Sequence, residues 1–405
     1  ATYAIVRVLS DLAAQQGAGS REKELASRWE RRLARMCASA VPLFYHGGGL
    51  LRAVATLRSS RTDSARFPNN SQTDMTTVPA FLDDAYEGEL MVLFVDLLAN
   101  WTGYPENGAA EKFAIWEKKQ SRVKAVNYTT PDGTNLTVQE GFWFSSHEQW
   151  KLMVLPYLNL PLVREVFTNV EHVRLLDAIQ RRVPGLFASS LGPPNVRCGK
   201  MGGYCNAVGV QKVASQPVQW DQCVSPYGAY PSILIDRGAG LAWYNTMLSL
   251  PHMQTLTGSV ESSDVAGTSV ATVQTWDTKT TTVLAMLGGS GPMLRKFLAR
   301  DGLLVRFELV VGRMYAASFP MDMARAGRAD ARLPLPPHGL LPPHWEEHRS
   351  EYSSCGCNAT AAANMLGVAV TVPDAHVPSS AIPSQYPCWV GAIIWLFLVC
   401  FQQQC

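Results

Sequence analysis

The chain has 405 residues, enough to bury a sizeable core as one large domain or several. Its 35 basic and 33 acidic side chains leave a formal net charge of +2. The one basic cluster, Arg21, Lys23, Arg28, Arg31, Arg32 and Arg35, is interleaved with Glu22, Glu24 and Glu30, which reads as the wet face of a helix and speaks against a nucleic-acid partner.

Two amphipathic helices open the chain. Ile5, Val8, Leu9 and Leu12 share one stripe and Leu25, Trp29, Leu33 and Met36 another, which predicts helices over about residues 3–14 and 21–40, parted by Gly17 and Gly19 and ended by Pro42. His46-Gly-Gly-Gly49 is a turn. A third stripe, Leu90, Leu93, Phe94, Leu97, Leu98 and Trp101, follows Asp83, Asp84, Glu87 and Glu89, acids that suit a helix N-terminus. Ser145-Ser-His-Glu148 has the form of a capping box that launches a short helix through Val154, stopped by Pro156. Another helix is expected over about 162–180, then loop-rich terrain from 184 to 269. Helices return over 277–287 and 292–299, and residues 303–311 fit a strand or a helix equally.

Helices joined by long polar and aromatic loops predict a mainly α toroid whose loops form a groove. The folded domain is placed at residues 1–325, followed by a Pro/Ala/Ser-rich irregular tail at 326–387 and a short apolar segment at 388–405. The run 388–401 falls short of the ~20 residues of a membrane span, so it is either a truncated anchor that associates with a membrane or a tail outside the fold. Sequons at Asn69, Asn100, Asn127, Asn135 and Asn358 favour a secreted glycoprotein. Of the nine cysteines, Cys198, Cys205 and Cys223 sit in the loop-rich stretch, where a disulfide suits two of them better than zinc, since no nearby histidine completes a metal set.

Four clusters mix acids with aromatics, the combination a sugar-cleaving cleft needs. The first is Asp83, Asp84, Glu87 and Glu89 beside Phe81 and Tyr86; a half-buried Glu89 would have the raised pKa of a general acid, but the same acids also serve a helix dipole. In the second, Glu148 is flanked by Trp143, His147 and Trp150, with the capping box as its other explanation. The third gathers Tyr227, Tyr230, Asp236, Arg237, Trp243 and Tyr244, with stacking faces for a sugar or simply core rings. In the fourth, Thr275-Trp-Asp-Thr-Lys279, Asp277 either caps a helix or activates water, with Trp276 and Lys279 on sugar hydroxyls. No phosphate loop, His-Glu-x-x-His or Gly-x-Ser-x-Gly occurs, and neither a metal nor a cofactor is expected.

At Asp83-Asp-Ala-Tyr-Glu-Gly-Glu89, Gly141-Phe-Trp-Phe-Ser-Ser-His-Glu148 and Thr275-Trp-Asp-Thr-Lys279, the chain resembles the helical-barrel glycoside hydrolases of the endo-β-1,2-glucanase type, over about residues 75 to 320. The resemblance implies an (α/α)6 barrel and an inverting attack on a β-glucan within its chain. A glutamate acts as acid and a distant aspartate as base, sometimes through a substrate hydroxyl. Glu89 matches the acid, with Glu87 and Glu148 as rivals, and Asp277 matches the base. Two other readings stand beside it: a non-catalytic carbohydrate-binding protein, and a polysaccharide lyase on a similar toroid using His147 and Tyr86.

Overall fold

A computed structural model of the chain describes residues 1–15, 17–53, 56–57, 72–73, 81–85, 88–185, 190–191, 204–205, 209–217, 223–265, 267, 269–271, 274–321, 332–337 and 340. By internal contacts it has two units, Ala1–Glu30 with Ser350–Cys405, and Arg31–Arg349. The class is mainly α, as expected of an (α/α)6 toroid, with eleven α-helices among the described residues.

In the first unit, α1 (Thr2–Ala13) buries Tyr3, Val6 and Leu9. Ser10 Oγ donates to Glu30 Oε1 at 2.9 Å, tying α1 to α2 (Ser20–Phe44). The second helix runs through Pro42 instead of ending at it, and stops two residues later at Phe44.

In the second unit, α3 (Glu89–Leu97) starts at the predicted acids. It is followed by α4 (Ala109–Arg122), a hairpin of Ala125–Thr129 with Asn135–Gln139, α5 (Trp150–Val154) and α6 (Pro161–Arg181). The last is buried on nearly every side, its face covered in part by the Asn135–Gln139 strand. Then come α7 (Tyr230–Ile235), α8 (Arg237–Leu248), α9 (Trp276–Met286), α10 (Gly291–Arg300) and α11 (Leu304–Ala316), which settles the undecided 303–311 as helix.

The stretch expected to be loop-rich holds α7 and α8. Their apolar residues follow no one-sided period because both helices are buried, and Gly240 lets them touch: a Cβ there would lie 2.3 Å from the Ile233 nitrogen. Around them Tyr230, Trp243, Met247, Leu250 and Met253 form a core that also takes in Leu333 and Leu340. Packing therefore runs past residue 325. Trp243 Nε1 donates to Pro334 O at 2.8 Å, and the Leu333 N–H to Asp236 Oδ2 at 3.1 Å, so part of the expected irregular tail completes this core.

No helix among the described residues is long and apolar enough to cross a membrane. The run 388–401 lies outside the described residues, as do Asn69 and Asn358 and the side chains of Cys198, Cys205 and Cys223. Cys37 is a half-buried free thiol, and Asn100, Asn127 and Asn135 are exposed.

Candidate active site

The second acid-and-aromatic segment is built as an extension of the hairpin. The Glu140 N–H donates to Lys124 O at 2.9 Å, the Gly141 N–H to Val213 O at 3.1 Å, and Gly141 O accepts from the Ser215 N–H at 2.9 Å. Residues 140–142 are thus held from both sides. Only glycine fits at 141, because a Cβ would come within 2.4 Å of Phe144 Cα and 2.5 Å of its nitrogen, and Phe144 itself has a left-handed φ of 61°. Gly141→Ala is expected to cost roughly 1–3 kcal/mol, read as a lower urea midpoint at constant m-value. An unshifted midpoint would mean the clamp yields freely.

Glu148 organises the turn that follows. Its Oε1 accepts from the Trp143 N–H at 2.9 Å and the Ser145 N–H at 3.2 Å, and its Oε2 from the Phe142 N–H at 3.0 Å. The Ser145 contact is the acid's half of the expected capping box, while Ser145 Oγ hydrogen-bonds His147 Nδ1 at 2.5 Å. Burial raises the Glu148 pKa above the ordinary glutamate value, opposed by His147 and the three backbone donors. Three backbone N–H groups thus fix the Glu148 carboxyl in the turn, where it also lines a small cavity.

What this turn presents outward is aromatic. Phe142 and the half-buried Trp143 meet edge to face at 4.6 Å, and the His147 ring lies 5.7 Å from Trp143. Two residues before Phe142, Glu140, not among the candidates drawn from sequence, keeps 18% of its side chain exposed, with Lys124 Nζ 3.3 Å away. Glu140, Glu148, Ser145 and Gln149 line a cavity of about 20 Å³, room for a single water. Ser146 Oγ, Gln149 Oε1 and Trp150 Nε1 are buried in the same turn without hydrogen-bond partners, so polar capacity remains there for water or ligand hydroxyls. The alternation in Asn135-Leu-Thr-Val-Gln139 was the available signal: it marks a strand, which would have put Glu140 at its end, ahead of the aromatic run.

Glu89 lies deeper. Only 2% exposed, it accepts from Lys151 Nζ at 2.7 Å and from Tyr157 OH at 2.5 Å. The ammonium also lies 5.3 Å from the Phe167 ring centroid and 5.8 Å from that of Tyr315. Burial, then Glu89, pushes the Tyr157 pKa well above the ordinary tyrosine value. Gln139 links this interior to the cavity wall, donating to Ala85 O at 3.0 Å and accepting from Tyr315 OH at 3.0 Å. Glu89 is therefore close to the cavity lining in connectivity yet tied to a buried cation. Tyr86 and Glu87 lie outside the described residues.

The third expected set is corrected. Trp243 is 0% exposed and Tyr227 is buried in the same core, so neither offers a ring face to a sugar; the half-buried Tyr244 packs against that core. Tyr230 is also buried, its OH donating to Ser146 O at 2.6 Å. Asp236 caps α8 through the Ala239 N–H at 3.2 Å, and Arg237 is exposed on the first turn. Trp150 is half-buried against the same core.

In the fourth set, Thr275 caps α9 in place of Asp277, accepting from the Thr278 N–H. Asp277 stands in the first turn, and its side chain lies outside the described residues. Trp276 is 65% exposed. Lys279 Nζ donates to Ser259 Oγ at 2.8 Å, with its pKa lowered by burial. Buried Glu261 accepts from the Thr275 N–H at 3.2 Å and from Thr278 Oγ1 at 3.1 Å, and its pKa is raised by burial. α9 packs on the turn Pro226–Ala229, which packs on the turn Ser146–Gln149.

The chain matches the family model described as Endo-beta-1,2-glucanase SGL over residues 1–355. Among solved structures it is similar to an endo-beta-1,2-glucanase from Talaromyces funiculosus in complex with sophorose, at 29% identity and a TM-score of 0.70, covering 84% of this chain and 66% of that one. A glutamate-to-glutamine mutant of endo-beta-1,2-glucanase from Talaromyces funiculosus, with beta-1,2-glucan, matches at 28% identity and a TM-score of 0.70 over the same shares. The chain thus spans 66% of the length of those structures. No curated protein matches it.

Proposed function

The chain belongs to the endo-beta-1,2-glucanase SGL family, and from that membership we propose that it hydrolyses β-1,2-linked glucan within the chain, with inversion at the anomeric carbon. The observation that carries this is the segment from Glu140 to Trp150, which holds a partly exposed carboxyl and, within a few residues of sequence, the rings of Phe142, Trp143 and His147, suited to the C–H faces of glucose. The likeness to structures that hold sophorose and beta-1,2-glucan supports the linkage.

Glu140 is the acid in this reading. It donates a proton to the glycosidic oxygen as the C–O bond breaks, while Asp277 takes a proton from the attacking water, directly or through a substrate hydroxyl. Glu89 is buried in a pair with Lys151, and Glu148 holds three backbone N–H groups of its own turn. Trp276 and Lys279 stand at the start of α9 beside the base. Secretion goes with this activity, and the exposed sequons Asn127 and Asn135 on the hairpin suit a glycosylated surface.

The test is reducing-end release from a panel of β-1,2-, β-1,3-, β-1,4- and β-1,6-glucans. Release from the β-1,2 polymer alone, with mid-chain products and an inverted anomer by NMR, is expected. Binding without release would return the non-catalytic reading, and new ultraviolet-absorbing ends from uronate polymers would favour the lyase.

A further inference from the structure

α3 carries Glu89 at its first position and Asp96 near its last, so whatever gathers round Asp96 is a helix length, roughly 10 Å, from the buried Glu89–Lys151 pair. A cleft of about 350 Å³ opens there, lined by Asp96, Glu106, Asn107, Lys112, Leu303 and Arg306 among others. It shares no lining residue with the small cavity beside Glu140. Its volume falls within the ~300–1,000 Å³ of small-ligand sites.

The cleft is built rather than incidental. Asp96 Oδ2 accepts from Trp116 Nε1 at 2.8 Å and from Arg306 Nε at 3.1 Å, and its Oδ1 accepts from Arg306 Nη2 at 3.3 Å. That fork leaves Arg306 Nη1 for a ligand. Lys112 Nζ stands 5.8 Å from the centroid of the Trp101 ring. Glu106 and Asn107 both hold left-handed backbones, φ 48° and 52°, before Gly108 at 75°. Two such residues in a row are costly and persist only when packing over-determines them. Trp101 packs on the residue that follows them: a Cβ on Gly108 would meet its ring at 2.4 Å, and its Nε1 is fixed on Val95 O at 2.9 Å.

Two carboxylates and two cations give the lining no net formal charge, hence no field to gather an anion. Nor does any group of three or more His, Cys, Asp or Glu able to hold a metal occur among the described residues. What the lining offers is a dense mixture of donors and acceptors. A sugar matches that, because each hydroxyl donates and accepts at once. We propose that this cleft is a second, non-catalytic carbohydrate site that holds a segment of glucan chain away from the cleavage site. The proposal rests on the β-glucan reading above. By tethering the polymer it raises the local concentration of bonds at the active site.

The test titrates wild-type protein, Lys112→Met and Glu106→Ala with a cleavage-resistant thio-linked β-1,2-glucooligosaccharide in a calorimeter. Hydrolysis kinetics on long and short substrates run alongside. Two binding events per chain are expected in the wild type and one in each variant. The KM for long glucan should rise about ten-fold, with kcat on short oligosaccharides unchanged. A single event of equal affinity in all three proteins, with equal KM, overturns the proposal while hydrolysis persists. Absence of hydrolysis in the wild type, with a binding event that Lys112→Met removes, would instead sink the activity reading alone.

Discussion

Glu140→Gln is expected to lower kcat on β-1,2-glucan by roughly 10²–10⁴-fold while KM changes little, because the amide keeps the shape of the side chain but cannot deliver a proton to the leaving oxygen. The fold should be unaffected. Glu140 makes one ion pair, at 3.3 Å, with a largely exposed Lys124, a contact worth little. The informative comparison is Glu148→Gln. Its amide must turn an N–H toward backbone donors that now meet a carboxylate, so the loss there should appear as a lower unfolding midpoint first. Steady-state kinetics with urea unfolding on both proteins separate the roles. If Glu140→Gln retains wild-type kcat, the acid lies elsewhere.

Lys151→Met is expected to destabilise the fold by about 3–5 kcal/mol, since it strands the Glu89 carboxylate among Tyr157, Phe167 and Tyr315 without its cation. The double variant Glu89→Gln/Lys151→Met should recover much of that loss, as buried pairs replaced together often do. Urea denaturation of the two singles and the double closes the cycle. A double variant as unstable as the sum of the singles would show that the pair acts through separate contacts. The same proteins bear on the sequence-level choice of Glu89 as acid: a catalytic Glu89 would lose turnover in Glu89→Gln with little change in midpoint.

Where one face of a segment meets water, the sequence was readable. The stripes of α1, α2 and α3 and the Ser145–Glu148 turn were placed from spacing alone, because solvent imposes a period on whatever it touches. α7 and α8 were not, since burial on all sides erases that period, and the same burial turned Trp243 and Tyr227 from sugar-facing candidates into core. For carboxylates, proximity to aromatics in sequence proved a weak guide. Glu89 and Glu148 have it and are consumed by Lys151 and by backbone, whereas Glu140's exposure depends on strand partners distant in sequence.

Those strand partners bear on the order in which the chain folds. The three bonds by which Glu148 gathers the Phe142, Trp143 and Ser145 N–H groups span six residues or fewer, so this part of the turn can form early, within its own stretch of chain. Its seat is another matter. The Gly141 pairing with Val213 and Ser215 closes a loop of roughly seventy residues, an entropic toll that grows slowly with length but falls due before the contact gives anything back. The aromatic wall should therefore take shape before it has a place to stand, and the late, rate-limiting event in assembling this part of the chain should be docking, with Gly141 variants slowing refolding in proportion to how far the clamp is formed at the barrier.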